Sequence, residues 1–157
     1  MITATETALE DQTRLLVAPF SMKVEPFPDN PDNYIPTHPT GTVLVVYKGS
    51  AYGPAQATDL VIQDREMDFE LTILIRNLRK HQGAYAVIEA LRLGVAGWMA
   101  PGANRGARLV RDEFRGHESG IWHWALGIRI PTTSMPPFIP EESFGSISAA
   151  SAYQELP

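Results

Sequence analysis

The sequence predicts an α+β fold of two layers, a mainly antiparallel sheet of four to five strands with helices packed on one face. Three stretches carry that prediction. In the first, Met67 to Met99, the chain MDFELTILIRNL passes through the short turn RKHQGA into YAVIEALRLGVAGWM, so the apolar period changes from two to about 3.6. The second is TVLVVYKGS after Gly41, a β-branched run suited to a central strand covered on both faces. The third is IWHWALGIRI after a Gly-containing turn, which reads as the returning arm of a hairpin.

Size and composition bound the answer. With 157 residues, 44% hydrophobic and 20% charged, the chain matches one globular domain able to bury a core without covalent staples. We expect that domain over residues 1–140, with 141–157 as a tail. A formal charge of -5 and a pI near 5.3 argue against a dedicated nucleic-acid binder, which carries a basic face. The absence of cysteine excludes disulfides, thiolate metal sites and cysteine nucleophiles. Met1-Ile-Thr-Ala-Thr-Glu has neither the basic nor the apolar region of a signal peptide. No apolar run approaches the ~20 residues of a membrane span, and the expectation is a soluble protein without a membrane partner.

In chain order, Thr3 with Glu6 and Thr7 with Glu10 have capping-box spacing, and a first helix is expected from about Thr5 to Val17. Leu9, Leu15 and Leu16 give it an apolar edge, and Pro19 stops it. Ser21 to Glu25 suits a short extended piece. Between Pro26 and Pro39, PFPDNPDNYIPTHP holds five prolines, too many for a helix or a central strand. It reads as an ordered loop anchored by Tyr34 and Ile35. The strand after Gly41 should pair with 67–76, where Phe69, Leu71, Ile73 and Ile75 point one way and Glu70, Thr72 and Arg76 the other. Between the two, Gly53-Pro54 marks a turn, and Leu60-Val61-Ile62 is a candidate edge piece.

The second helix carries Ala84, Ile88, Leu91, Val95 and Trp98 on one stripe, with Glu89 and Arg92 placed to pair. Gly97 and APGANRG end it. Ala107 to Arg115 reads as an edge strand, with Val110 and Phe114 beside Asp112, and His117-Glu118-Ser119-Gly120 as the hairpin turn. The return strand puts Trp122, Trp124, Leu126, Ile128 and Ile130 on one face, and Pro131 is expected to end it. Met135 to Pro140 is another proline-bound loop. The segment from Glu141 is small and polar, mobile unless a neighbouring molecule holds it.

Little in the chain advertises chemistry. The four histidines, His38, His81, His117 and His123, include no helical pair at zinc-protease spacing. Across the hairpin, His117, Glu118 and His123 form a conceivable metal set, weighed against a turn residue, its neighbour and a solvent-facing strand residue. The glycines of GVAG and GANRG lack the lysine of a phosphate loop and the strand order of a dinucleotide fold. Arg105, Arg108, Arg111 and Arg115 could line a polyanion, but Asp112, Glu113 and Glu118 interrupt them, which favours a self-paired edge strand. No serine elbow and no paired carboxylates mark an acid and a base. Catalytic, cofactor and metal residues are therefore expected to be none.

An ordered set of pieces points elsewhere. It consists of VLVVYKGSAYG from Val43 to Gly53, Phe69-Glu-Leu, Arg76-Asn-Leu, Gly83-Ala-Tyr85 with Glu89-Ala-Leu-Arg92, and Gly120-Ile-Trp-His-Trp. In this order and spacing, over Gly41 to Ile130, the set resembles small tail proteins of Mu-like phages and prophages with contractile tails. What the resemblance implies is a tail terminator, a homo-oligomeric ring of six copies that caps the tail tube and sheath at the head-proximal end and docks on the neck. The implied partners are the tail tube protein, the sheath protein and the neck or connector proteins. Genomic DNA would pass through the lumen without specific binding. The implied location is the virion tail, assembled in the host cytoplasm, with no cofactor.

On this reading Lys48, Tyr52, Arg105, Arg108, Arg111 and Arg115 are the residues expected at subunit or tube contacts. A tail-completion or head-to-tail joining protein is the nearest alternative, and a small metal-dependent hydrolase on His117, Glu118 and His123 is the alternative from another class.

Overall fold

The computed structural model describes residues 1–56, 60–80 and 83–137. The expected tail from Glu141 and the part of the Met135 to Pro140 loop beyond residue 137 lie outside the described residues. The expected fold class is observed. In order, the elements are helix α1 (Ile2–Val17), strands β1 (Lys23–Pro26), β2 (Gly41–Ala55) and β3 (Gln63–Ile75), helix α2 (Ala84–Val95), and strands β4 (Arg108–Glu118) and β5 (Ile121–Ser134). One sheet of order β1-β2-β3-β5-β4 runs through the molecule, antiparallel except where β1 joins β2 in parallel.

The period-two pattern of β3 sets the layers. Met67, Phe69, Leu71, Ile73 and Ile75 are all almost completely buried. Opposite them in register stand Ile130, Ile128, Leu126, Trp124 and Trp122 of β5. Onto this face α2 lays Ala84, Val87, Ile88, Leu91 and Val95, an apolar stripe at the spacing of a helix packed on a sheet. Glu89 and Arg92 pair on its solvent side at 2.7 Å. Trp98 lies past the helix end and packs partly buried against the same core.

Helix α1 begins at Ile2 with Met1 at its cap and no capping side chain. Thr3, Glu6, Thr7 and Glu10 therefore sit within the helix, and neither expected capping box forms. Its buried stripe is Thr5, Leu9, Thr13 and Val17, spaced by four. The two threonines fit the interior because each hydroxyl donates to the carbonyl one turn back, Thr5 to Met1 at 3.0 Å and Thr13 to Leu9 at 2.7 Å. Leu15 falls off that stripe and is 73% exposed, against expectation.

The proline-rich loop closes one end of the sheet's other face. Phe27 and Tyr34 pack against Leu44, Leu74 and Ile121, which explains why β2 is apolar on both sides near Gly41. Tyr34 is an anchor, its hydroxyl bonded to Glu25 at 2.9 Å. Ile35 is not, being 76% exposed.

Three more boundaries move. Gly53-Pro54 does not turn the chain but lies within β2, where the register shifts between Tyr52 and Ala55; such a bulge tolerates a proline with no ladder donor. Leu60-Val61-Ile62 forms no strand. Pro131 does not end β5: its carbonyl accepts from the Asn104 N–H at 3.1 Å. The missing N–H therefore points to the same side, away from β3 and beyond the start of β4.

The hairpin between β4 and β5 turns on Ser119 and Gly120 alone, both with positive φ, 51° and 77°, the twist a two-residue hairpin favours. His117 and Glu118 belong to the strand.

Candidate interaction surfaces

Alternation along β3, β4 and β5 builds a charged ladder on the face away from the helices. Glu66, Asp68 and Glu70 of β3 meet Arg129 of β5, and Arg108 and Arg115 of β4 reach across to them. Arg129 forks onto Asp68 at 2.7 and 2.9 Å and also reaches Glu66 at 3.3 Å. Arg108 pairs with Glu66, and Arg115 bonds Glu70 at 3.0 Å and also pairs with Glu113. Arg111 pairs with Glu113 at 3.2 Å. Strong donation to Asp68 and its negative charge hold the Arg129 guanidinium above its ordinary pKa. Four arginines thus meet four carboxylates within one sheet face, leaving little net charge for a polyanion.

That arrangement places the six residues expected at contacts. Arg108, Arg111 and Arg115 lie on the β4 edge with their charges internally paired. Arg105 is exposed on the loop before β4 and lines a shallow pocket with Asp64, Glu66, Arg108 and Thr132. Lys48 and Tyr52 lie on β2, Tyr52 opposite Arg65, which lines the same pocket as Arg105. Lys48 sits at a bulge between Tyr47 and Gly49, and the Arg65 guanidinium lies over the Tyr52 ring at 5.6 Å from its centre. The six do not converge.

The conceivable metal set does not converge either. His117 stands opposite Trp122, on the helix side of the sheet, its ring 4.3 Å from the indole. His123 stands opposite Gly116, and Glu118 opposite Ile121, on the other side. Among the described residues no group of three histidine or carboxylate side chains is placed to hold a metal ion.

Sequence reasoning missed an aromatic ledge where α2 meets the β4 edge. The Phe114 ring lies 5.4 Å from Trp124 and 6.0 Å from Trp122, and Tyr85 meets Trp124 edge-on at 5.9 Å. Phe114 is 51% and Tyr85 45% exposed, so the ledge opens to solvent. Period two identified the tryptophan face of β5; the register that brings Phe114 beside it depends on a bulge between Phe114 and Gly116, which the residues do not announce.

A family model described as Gp37 protein matches residues 13–143. Among solved structures, the chain is similar to one from the virion of a native gene transfer agent particle, at 16% sequence identity and a TM-score of 0.55, covering 85% of this chain and 97% of that one. No curated protein matches.

Proposed function

The chain belongs to the Gp37 protein family, and from that premise we propose that it is a structural protein of a phage-type virion, acting as a tail terminator. The observation that carries the reading is the similarity to a gene transfer agent virion chain, nearly all of which this fold covers. A virion component must present surfaces to neighbours without performing a reaction. The long self-neutralised sheet face, the rigid proline-rich loop closed by Tyr34 and the exposed aromatic ledge suit that task. An acidic total of -5 suits a ring whose lumen passes DNA without gripping it.

In this role the protein forms a ring, six copies as the tail-protein resemblance implies, between the tube and sheath below and the neck above. Lys48, Tyr52 and Arg105 are the members of the expected contact set whose side chains offer themselves to a neighbour. Arg108, Arg111 and Arg115 act through the paired edge they build.

The experiment is to delete the gene from a phage or prophage that carries it and image the particles. Overlong tails support the terminator, whereas tails of normal length detached from heads mean that it joins head to tail. Intact particles of normal tail length would refute both roles.

A further inference from the structure

The sheet has two outer edges, and they are defended unequally. β4 carries six charged residues among its 11, and two bulges interrupt its register, devices that discourage strand addition. The opposite edge is only partly covered. β1 lies beside β2 from Thr42 to Val45, and the last bond from that side is the Phe27 N–H on the Val45 carbonyl at 2.8 Å. The chain then passes onto the face away from the helices, where Phe27 and Tyr34 pack on Leu44, Leu74 and Ile121. From Val46 to Tyr52 the outer side of β2 therefore has no strand beside it among the described residues. This stretch, VYKGSAY, holds one charge, Lys48, and Lys48, Ala51 and Tyr52 are exposed.

We infer that residues 143–154 of the same chain add to this open edge as a further strand, antiparallel to β2. The end of β5 is the first observation that selects this occupant. Ser134 stands opposite Gln63 of β3, and Gln63 opposite Ala55 of β2, so the chain leaves the sheet at the end toward which β2 runs. A segment that returns along β2 from there is antiparallel to it without a crossover, and the order of new strand, β2, β3 and β5 is that of a Greek key. Reach is the second. Three strand spacings are about 14 Å, and residues 135–142 span up to ~26 Å when extended. Composition is the third: SFGSISAASAYQ, residues 143–154, contains neither charge nor proline, as suits a segment that joins a sheet edge. Glu142 and Glu155 bound it, opposite in sign to Lys48. Along β4 the same segment would run parallel and meet six charges, so β2 is the edge it takes. The inference concerns a single chain and stands independently of the virion role.

The test is hydrogen–deuterium exchange on the full chain, read residue by residue by NMR at two protein concentrations, with native mass spectrometry recording the oligomeric state. In wild type, the outward amides between Val46 and Tyr52 and the bonded amides within 143–154 should exchange at least ~10-fold more slowly than unpaired ones. A variant with Ser148→Pro and Ser151→Pro removes one donor from each side of the added strand and leaves the sequence of the described residues unchanged. It should lose the protection on both strands while β3, β4 and β5 keep theirs.

Edge amides of β2 that exchange alike in the two proteins would overturn the inference, as would amides of 143–154 that exchange at unpaired rates in wild type. So would a proline-sensitive protection found on β4 in place of β2. Protection that appears only at the higher concentration, in an oligomer, would assign the added strand to a neighbouring copy and overturn the pairing within one chain. Tail-length imaging tests the virion role separately from all these outcomes.

Discussion

Asp68 and Arg129 stand directly opposite each other on β3 and β5, and the guanidinium donates to both carboxylate oxygens, at 2.7 and 2.9 Å. The two-point fork fixes a register that apolar packing on the other face already demands, so both faces specify the same pairing. Each side chain is about a third exposed, which screens the charges. We expect Arg129→Ala to cost about 1 kcal/mol, with a coupling to Asp68→Asn in a double-mutant cycle of ~0.5–1 kcal/mol. Arg108→Ala, whose partner Glu66 keeps Arg129, should cost less. Denaturant midpoints with unchanged slopes report these differences; a coupling near zero would mean that the fork merely decorates the register.

The Glu25–Tyr34 contact makes stability depend on pH at both extremes. Glu25 sits below its ordinary value of 4.5, chiefly through its bond to Lys23 and also through the Tyr34 hydroxyl, against the opposing effect of burial. A depressed carboxylate contributes stability above its unfolded pKa and loses it as pH falls through the folded one, so this contribution fades below about pH 4.5. Tyr34 is raised above its ordinary value of 10.0, first by burial and then by donation to Glu25. The folded state then holds the phenol proton more tightly, and stability declines as pH rises past 10. Tyr34→Phe should flatten the alkaline decline and shrink the acid one relative to wild type in urea melts across pH. If the two profiles run parallel, the hydrogen bond does not anchor the loop.

Thr13 inverts the usual idea of a conservative change. It is completely buried, and its hydroxyl bonds the Leu9 carbonyl, which the helix ladder already satisfies. Thr13→Val exchanges one modest hydrogen bond for a buried methyl group, and we expect stability within ~0.5 kcal/mol of wild type. Thr13→Ser keeps the bond but removes a methyl from the core, costing about 1 kcal/mol. Thermal and chemical melts that rank serine above valine would show that the hydroxyl bond matters more than the packing.

The parts of this fold legible in the sequence are those where one physical signal dominates. Period two in β3 and β5, and the stripe on α2, each specify a buried face; the aliphatic residues and Phe69 named for them are buried, whereas Trp98, Trp122 and Trp124 are only partly so and Val87 joins the α2 stripe. Misreadings arose where local chemistry competed with packing. Thr3 and Thr7 have capping spacing, but the chain is already helical from Ile2, because burying Thr5 and Leu9 on one stripe needs an earlier start. Gly53-Pro54 and Pro131 look like breaks, yet one lies in a bulge and the other faces an open edge, where a missing N–H costs nothing. The contact residues share arginine as a type but not a place, and spacing cannot show that Glu66, Glu70 and Glu113 are within reach of three of them. Phe114, on an edge strand whose bulges decide its neighbours, required the register itself.

Gly106 illustrates a role that composition hides. Within GANRG it reads as a turn glycine, but its φ is ordinary and its constraint is space. A Cβ built there lies 2.7 Å from the Gly97 carbonyl oxygen and 2.8 Å from the Gly97 Cα, both backbone atoms. Gly97 in turn ends α2 with a φ of 81°. The two stretches are stitched together, the Gly97 N–H to the Ala107 carbonyl at 2.8 Å and the Ala107 N–H to the Trp98 carbonyl at 2.7 Å. Gly106→Ala must therefore part the two backbones or strain these bonds, and we expect a loss of about 1–3 kcal/mol. Gly97→Ala, with open space around its Cβ but left-handed φ, should lose about 1 kcal/mol for conformational reasons alone. Once Gly106→Ala has loosened the junction, Gly97 is free to relax, so the double variant should lose less than the sum of the two. Strict additivity in denaturant melts would show that the strands of this junction do not share one constraint.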